Sequence, residues 1–255
     1  MKLVPSDSSL FRNAIEALKD FLPVAQLRFS ADGLNINGMD NSHVGFVDYF
    51  LAAADCKTFD VNDNLTLGIN MTVLARALAA VGSEDELTIS DNKNQDKLVI
   101  SYANKKAGKQ VKFEVPLMDI SDDTLQLPDI EYDGSITLKT NDIAAVVKEV
   151  AGFGEVLTLK LDKDGLHIST KGDTGSVCQT LNVDGAIRIM NLKTDSVEAS
   201  YGTKYMASIM KGGVSLATMT TLDFDGSQPL RATFLFGKEK ASRFVNYLAP
   251  KLIED

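Results

Sequence analysis

Apolar residues recur along this chain at two periods. Between residues 9 and 21, Leu10, Ala14 and Leu18 stack on one side of a helical repeat while Arg12 and Lys19 take another, which predicts an amphipathic helix. Similar runs predict helices over 70–81, 141–151 and 202–212. Elsewhere the period is two. Leu157, Leu159 and Leu161 alternate with Thr158, Lys160 and Asp162, and Val111, Phe113 and Val115 alternate with Gln110, Lys112 and Glu114. That is the pattern of half-buried strands. Asp32-Gly33, Asp164-Gly165 and Asp225-Gly226 fall between such runs, a strong short-range hairpin signal. Few helices among antiparallel meanders give an α+β class, not a doubly wound α/β one.

The pattern occurs twice. Leu27–Ile36 (LRFSADGLNI) and Leu159–Ile168 (LKLDKDGLHI) share L-x-apolar-x-x-D-G-L-x-I at an offset of 132, from Gly33 to Gly165. Residues 9–36 align on 141–168 without a gap, and the helical runs 70–81 and 202–213 keep the same offset. Two similar domains in tandem follow, expected at 1–116 and 134–250, with a connecting loop at 117–133 and a tail at 251–255. The stretch 115–133 holds Asp119, Asp122 and Asp123, two prolines, and the apolar residues Leu125, Leu127, Ile130 and Tyr132 without a period, as an extended surface segment does. Apolar residues exposed there call for a partner.

With 255 residues, 44% hydrophobic and 24% charged, the composition is that of a soluble globular chain. Neither a signal-type apolar run nor a membrane-spanning stretch is evident. Cys56 and Cys178 are distant in sequence and are expected to be reduced and partly buried. The net charge of −9 argues against nucleic acid until its distribution is considered. Six basic side chains on the helical stretches, Arg12, Lys19, Arg76, Lys148, Lys204 and Lys211, outnumber the acidic Glu16, Asp20, Asp142 and Glu149. The helices are mildly positive and the remainder is strongly acidic. Arg12 and Lys19 share a face, as do Lys204 and Lys211. A solvated face accounts for this by itself; diffuse charge of this kind also suits phosphates rather than base edges.

Catalytic and metal signatures are missing. His43 and His167 have no ligand partner at useful spacing, and His167 reads as a strand residue. LDKDGLHISTKG fails as a calcium loop: with Gly165 at the sixth position the loop runs 160–171, and Lys160 and Lys171 then occupy its first and twelfth positions. Gly152-Phe153-Gly154 ends a helix instead of opening one, so no dinucleotide loop forms. Neither a P-loop nor a nucleophile elbow occurs. The expectation is a non-enzyme without metal or cofactor.

Four segments, NGMDNSHVGFVDYFL (37–51), LMDISDDTLQLPDIEYD (117–133), LDKDGLHIS (161–169) and YLAPKLIED (247–255), closely resemble the proliferating cell nuclear antigen family of eukaryotic and archaeal sliding clamps. The resemblance spans nearly the whole chain. It implies a duplicated clamp fold, with antiparallel sheets outside and four helices lining a ring. The ring is a head-to-tail homotrimer around duplex DNA, bound independently of sequence. It implies a processivity factor for replicative polymerase and a platform for DNA repair, with a clamp loader, DNA polymerase, flap endonuclease, DNA ligase and other PIP-box proteins as partners and no membrane. Its location is the nucleus, or the cytoplasm in an archaeon. DNA-facing residues are then Arg12, Lys19, Arg76, Lys109, Lys148, Lys204 and Lys211. Asn13, Ala79 and Ala145 stand where relatives often carry Lys or Arg. Subunit contacts fall on Val111, Phe113 and Val115 and on Val177, Cys178 and Leu181. The partner-peptide pocket maps to Met39, His43, Val44, Phe46, Leu125, Leu127, Pro128, Ile130, Tyr132, Pro229, Tyr247, Leu248, Ala249 and Pro250. Lys163 matches the family's ubiquitin acceptor. A subunit of a heterotrimeric checkpoint or archaeal clamp is the alternative, followed by an enzyme with an unrecognised site.

Overall fold

The computed structural model describes residues 1–61, 63–92, 96–104, 106, 108–120, 130–173, 175–183 and 185–251. The chain runs β1 (Lys2–Pro5), α1 (Ser8–Lys19), β2 (Val24–Ser30), β3 (Gly33–Met39), β4 (Gly45–Ala52), β5 (Cys56–Asp60), β6 (Leu65–Asn70), α2 (Met71–Leu78), β7 (Glu86–Asp91), β8 (Lys97–Asn104) and β9 (Lys109–Pro116). It then repeats as β10 (Gly134–Lys139), α3 (Thr140–Val150), β11 (Val156–Asp162), β12 (Gly165–Gly172), β13 (Gly175–Asn182), β14 (Ile187–Leu192), β15 (Ser196–Gly202), α4 (Thr203–Val214), β16 (Met219–Phe224), β17 (Leu230–Phe236) and β18 (Ser242–Leu248). The Gly33-to-Gly165 offset carries each of these elements of the first half onto one of the second to within two residues, except that α4 runs four residues past the counterpart of the α2 end.

Strand order repeats as well. β5-β1-β7-β8-β9 form one sheet, and β14-β10-β16-β17-β18 reproduce that order; β13-β12-β11-β15 correspond to β4-β3-β2-β6. One difference separates the copies. β18 neighbours β4, whereas their counterparts β9 and β13 are terminal strands of their sheets. By contact the chain divides into Met1–Asn41 with Val47–Leu125 and Phe236–Phe244, and Ser42–Phe46 with Gln126–Leu235 and Val245–Asp255.

Each unit buries one stripe of each helix. In the first, α1 buries Phe11, Ala14, Ile15 and Leu18, and α2, packed beside it, buries Met71, Leu74, Ala75 and Leu78. In the second, α3 buries Ile143, Val146, Val147 and Val150 beside Met206, Ile209 and Met210 of α4. A fully buried aliphatic side chain contributes about 2 kcal/mol. The helix starts differ. Asp7 Oδ1 accepts from Leu10 N–H at 2.9 Å and Asn70 Oδ1 from Val73 N–H at 3.0 Å. α3 and α4 lack side-chain caps and tie their first N–H groups to neighbouring loops, Thr140 to Thr218 O and Thr203 to Glu155 O.

The Asp-Gly signals hold twice and fail once. A Cβ on Gly33 would lie 2.2 Å from Leu51 O, and on Gly165 2.2 Å from Leu181 O, so each glycine lets the next strand approach its hairpin. Asp225-Gly226 opens a longer loop between β16 and β17. There the Asp225 carboxylate accepts from the N–H groups of Ser227 and Gln228, at 2.8 and 2.7 Å, an Asx-type turn. α4 runs beyond 212 to Val214, because bare Gly213 leaves room for the Phe234 ring against the helix. Both cysteines are free thiols, but Cys178 is exposed, contrary to expectation. Burial, then the Asp55 charge, pushes the half-buried Cys56 thiol up to about 12.

Candidate functional site

The basic residues expected to face DNA fall into two groups. Arg76 on α2, Lys109 on β9, Lys148 on α3 and Lys204 and Lys211 on α4 are exposed. Arg12 and Lys19 are half-buried and already engaged. Arg12 donates Nη1 to Val81 O at 2.5 Å, just past the C-terminal end of α2, and Nε and Nη2 to Asn13 Oδ1. Helix C-terminal ends favour a cation for their orphan carbonyls. Lys19 is paired with Glu16 one turn back. Both add charge to α1 without offering a free donor fork. Ala79 and Ala145 are exposed, so the helix faces are smooth and thinly charged.

β9 and β13 carry the residues expected at the subunit contact. Leu117 N–H donates to Asp96 O at 2.9 Å, in the register that pairs Lys97 with Pro116 and Leu98 with Val115. Bonded and unbonded pairs alternate in an antiparallel ladder, so Val115, Phe113 and Val111 turn their N–H groups into β8. Glu114, Lys112 and Gln110 turn theirs away, and Pro116, at the same parity, has none to offer. Phe113 is 40% exposed, but Val115 is 3% exposed; its side chain belongs to the core, not to a contact surface. Lys112 and Lys97 flank Glu114 at 2.8 and 3.2 Å. On β13, Val177 and Leu181 are half-buried and Cys178 is exposed.

Part of the expected peptide pocket comes together in the second unit. Tyr132 donates its hydroxyl to Pro229 O at 3.0 Å. Phe46 packs on Tyr247 with ring centroids 6.0 Å apart, and Ala249 N–H donates to Val44 O at 2.9 Å. Ile130, Tyr247, Ala249 and Pro250 are half-buried, and His43 is exposed in a turn at φ 56°. Phe46 and Leu248 are core residues, 6% and 0% exposed, so they support the surface without presenting one. Met39 is half-buried in the first unit. Leu125, Leu127 and Pro128 lie outside the described residues.

Lys163 is exposed in the tight turn between β11 and β12, where Asp162 Oδ1 accepts from Asp164 N–H at 3.0 Å. His167, expected to be a plain strand residue, ties that turn to β13. Its Nε2 lies 3.1 Å from Asp162 Oδ1 and its Nδ1 2.9 Å from Thr180 Oγ1. The His167 bond, followed by the Asp164 N–H, holds the Asp162 carboxyl below the usual range.

Two features escape a reading of the sequence. Phe153, which there belongs only to a failed nucleotide loop, is 43% exposed, and its carbonyl abuts Gly172 at the β12–β13 hairpin. Arg231 on β17 lays its guanidinium 4.9 Å from the Tyr132 ring centroid and donates Nε to Asp223 Oδ2 at 2.9 Å. Asp223 is buried and also accepts from Ser135 Oγ at 2.6 Å. Burial raises the Tyr132 hydroxyl above the ordinary phenol range against the pull of the Arg231 charge. No apolar period signals a cross-strand pair of this kind.

Comparison with known proteins agrees with this geometry. Residues 2–126 match the family model described as proliferating cell nuclear antigen, N-terminal domain, and residues 126–251 match its C-terminal domain. The chain is 27% identical over 253 residues to the proliferating cell nuclear antigen of Chaetomium thermophilum, covering 97% of this chain and 96% of that one. It is similar in structure to the same protein from Entamoeba histolytica, with a TM-score of 0.89, 26% identity and 98% of both chains covered.

Proposed function

Because the chain belongs to the proliferating cell nuclear antigen family and so is a DNA sliding clamp, we propose that three copies close head to tail into a ring around duplex DNA. The observation that carries this is the strand pairing. β18 lies beside β4 within the chain, while their repeat counterparts β9 and β13 end their sheets unpaired. Pairing β9 of one copy with β13 of the next repeats the β18–β4 arrangement, and a head-to-tail contact that closes gives a ring. Phe113 and Phe153, both exposed, supply apolar area near those edges.

In this reading the domains are 1–116 and 134–250, joined by the connector 117–133 and followed by the tail 251–255. Arg76, Lys109, Lys148, Lys204 and Lys211 face the duplex, with Arg12 and Lys19 adding field. Contacts are to phosphates, so the ring reads no sequence and slides. The chain performs no chemistry. It is opened by a clamp loader, tethers polymerase for processive synthesis, and docks flap endonuclease, ligase and other proteins through peptides at Tyr132, Pro229, Tyr247 and Ala249. Lys163, exposed at a turn tip, is accessible to ubiquitin attachment.

Light scattering on the purified chain should give the mass of three subunits. Loaded onto nicked circular DNA, the ring should be retained and then released when the circle is linearised. A monomer mass, or retention that survives linearisation, would overturn the proposal.

A further inference from the structure

The wall of the proposed peptide pocket contains a cation. Arg231 reaches from β17 across the face of Tyr132, its guanidinium carbon 4.9 Å from the ring centroid. Its charge is also felt at Tyr247, the ring that packs on Phe46. A guanidinium held against a phenol ring and partly removed from water is expensive to keep there unless it is compensated. Asp223 compensates it through the Nε bond at 2.9 Å. Ser135 fixes the other carboxylate oxygen at 2.6 Å. That uses one of the five guanidinium N–H bonds. Among the described residues Nη1 and Nη2 have no partner, and the side chain is 33% exposed.

What these groups can accept follows from charge. Asp223 already balances Arg231, and Asp225 lies close enough to act on the Tyr132 hydroxyl as well. The local sum is therefore negative, which disfavours a carboxylate. The surroundings are Tyr132, Tyr247 and Pro229, which favour an aromatic ring. A neutral acceptor on an aromatic side chain satisfies both conditions. We propose that Arg231 is a specificity-determining residue of this pocket, whose Nη groups select a partner's tyrosine over phenylalanine by donating to its phenolic oxygen. This rests on the reading of the pocket as a partner-peptide site. A donor pair that phenylalanine leaves unanswered discriminates against it, as any site built around a hydrogen bond does. The guanidinium remains partly solvated, so the factor is modest, about tenfold.

The test uses four synthetic PIP-box peptides that differ only at two adjacent positions, filled by Phe-Phe, Tyr-Phe, Phe-Tyr and Phe-Glu. Calorimetry on the wild-type chain should show one of the two tyrosine peptides binding about tenfold tighter than Phe-Phe, with Phe-Glu weaker. In Arg231→Met the tyrosine preference, read as the ratio of affinities to Phe-Phe, should vanish. Because that variant strands the buried Asp223, Asp223→Asn combined with Arg231→Met is measured beside it, with thermal unfolding to confirm the fold. Equal affinities for Phe-Phe and both tyrosine peptides overturn the inference. So does a tyrosine preference that survives in the double variant, or Phe-Glu binding tightest. Failure of every peptide to bind the wild type removes the pocket reading itself, a separately recognisable result.

Discussion

Replacing Lys112 with proline removes one N–H that points away from β8 and leaves every bond between β8 and β9 in place. Pro116 already occupies the same parity on this strand, so the substitution should be tolerated by the subunit, as edge strands tolerate proline. Across a β9–β13 contact the penalty is larger. One backbone hydrogen bond contributes about 1 kcal/mol net, and the acceptor stranded on the partner strand costs about 1–3 kcal/mol more. Taking about 3 kcal/mol in all, each contact weakens about 100-fold, and every contact of a closed ring carries the change. The exposed Lys112–Glu114 ion pair disappears too, but such pairs contribute little, and Lys112→Ala controls for it. Val111→Pro is the informative contrast. The Val111 N–H points at Tyr102 within the same sheet, so that variant should destabilise the subunit whether or not a ring exists. Gel filtration with light scattering should show trimer for wild type and Lys112→Ala, and smaller species with an unchanged circular dichroism spectrum for Lys112→Pro. A full trimer from Lys112→Pro would mean that the ring does not close through β9.

Asp7→Ala removes the carboxylate that accepts the Leu10 N–H and should lower stability by about 1 kcal/mol in chemical denaturation; an unchanged midpoint contradicts the capping role. Asp162 has a folded pKa below its ordinary 3.8, so its stabilisation is complete above that value and is lost as pH falls through the folded pKa. The melting-temperature gap between wild type and Asp162→Asn should therefore close on acidification below 3.8, and a gap independent of pH would assign the difference to something other than the carboxylate. Lys148→Glu with Lys204→Glu should weaken ring loading on all DNA sequences alike and reduce the salt slope by about 0.9 for each phosphate no longer neutralised; a change confined to particular sequences would contradict backbone contact.

What the sequence reveals and what it hides divide by physical range. The helices are legible because three or four apolar residues repeat on one face in each, and the strands because Leu157, Leu159 and Leu161 alternate with polar neighbours. The duplication is legible because Gly33 and Gly165 meet the same demand, close approach of the next strand. α4 overruns its expected end because Gly213, a breaker by local propensity, is required by Phe234, which is distant in sequence. Asp225-Gly226 fails as a tight hairpin because the Asp225 carboxylate organises a longer loop that no dipeptide rule contains. Within the pocket, Tyr132 and Tyr247 emerge through resemblance to a family. Arg231 and Asp223 do not, since their pairing depends on strands β16 and β17 lying side by side.

The direction of a backbone amide is the least legible property and, on an edge strand, the one with most consequence. Alternation places Val111, Phe113 and Val115 on one face of β9, and the family resemblance marks them as contact residues. Register then turns their N–H groups inward and buries Val115. The outward amides belong to Gln110, Lys112 and Glu114, whose side chains look like ordinary solvated surface. An edge offering such amides pairs with any strand that comes near unless something restrains it. Here the Lys97–Glu114–Lys112 ion-pair cluster and the amide-free Pro116 are such restraints. In the proposed ring the duplication supplies the partner strand in every copy. β13 is the repeat equivalent of β4, and β4 already lies beside β18, the equivalent of β9. A chain that has solved this pairing once internally needs only a second copy of itself to solve it again.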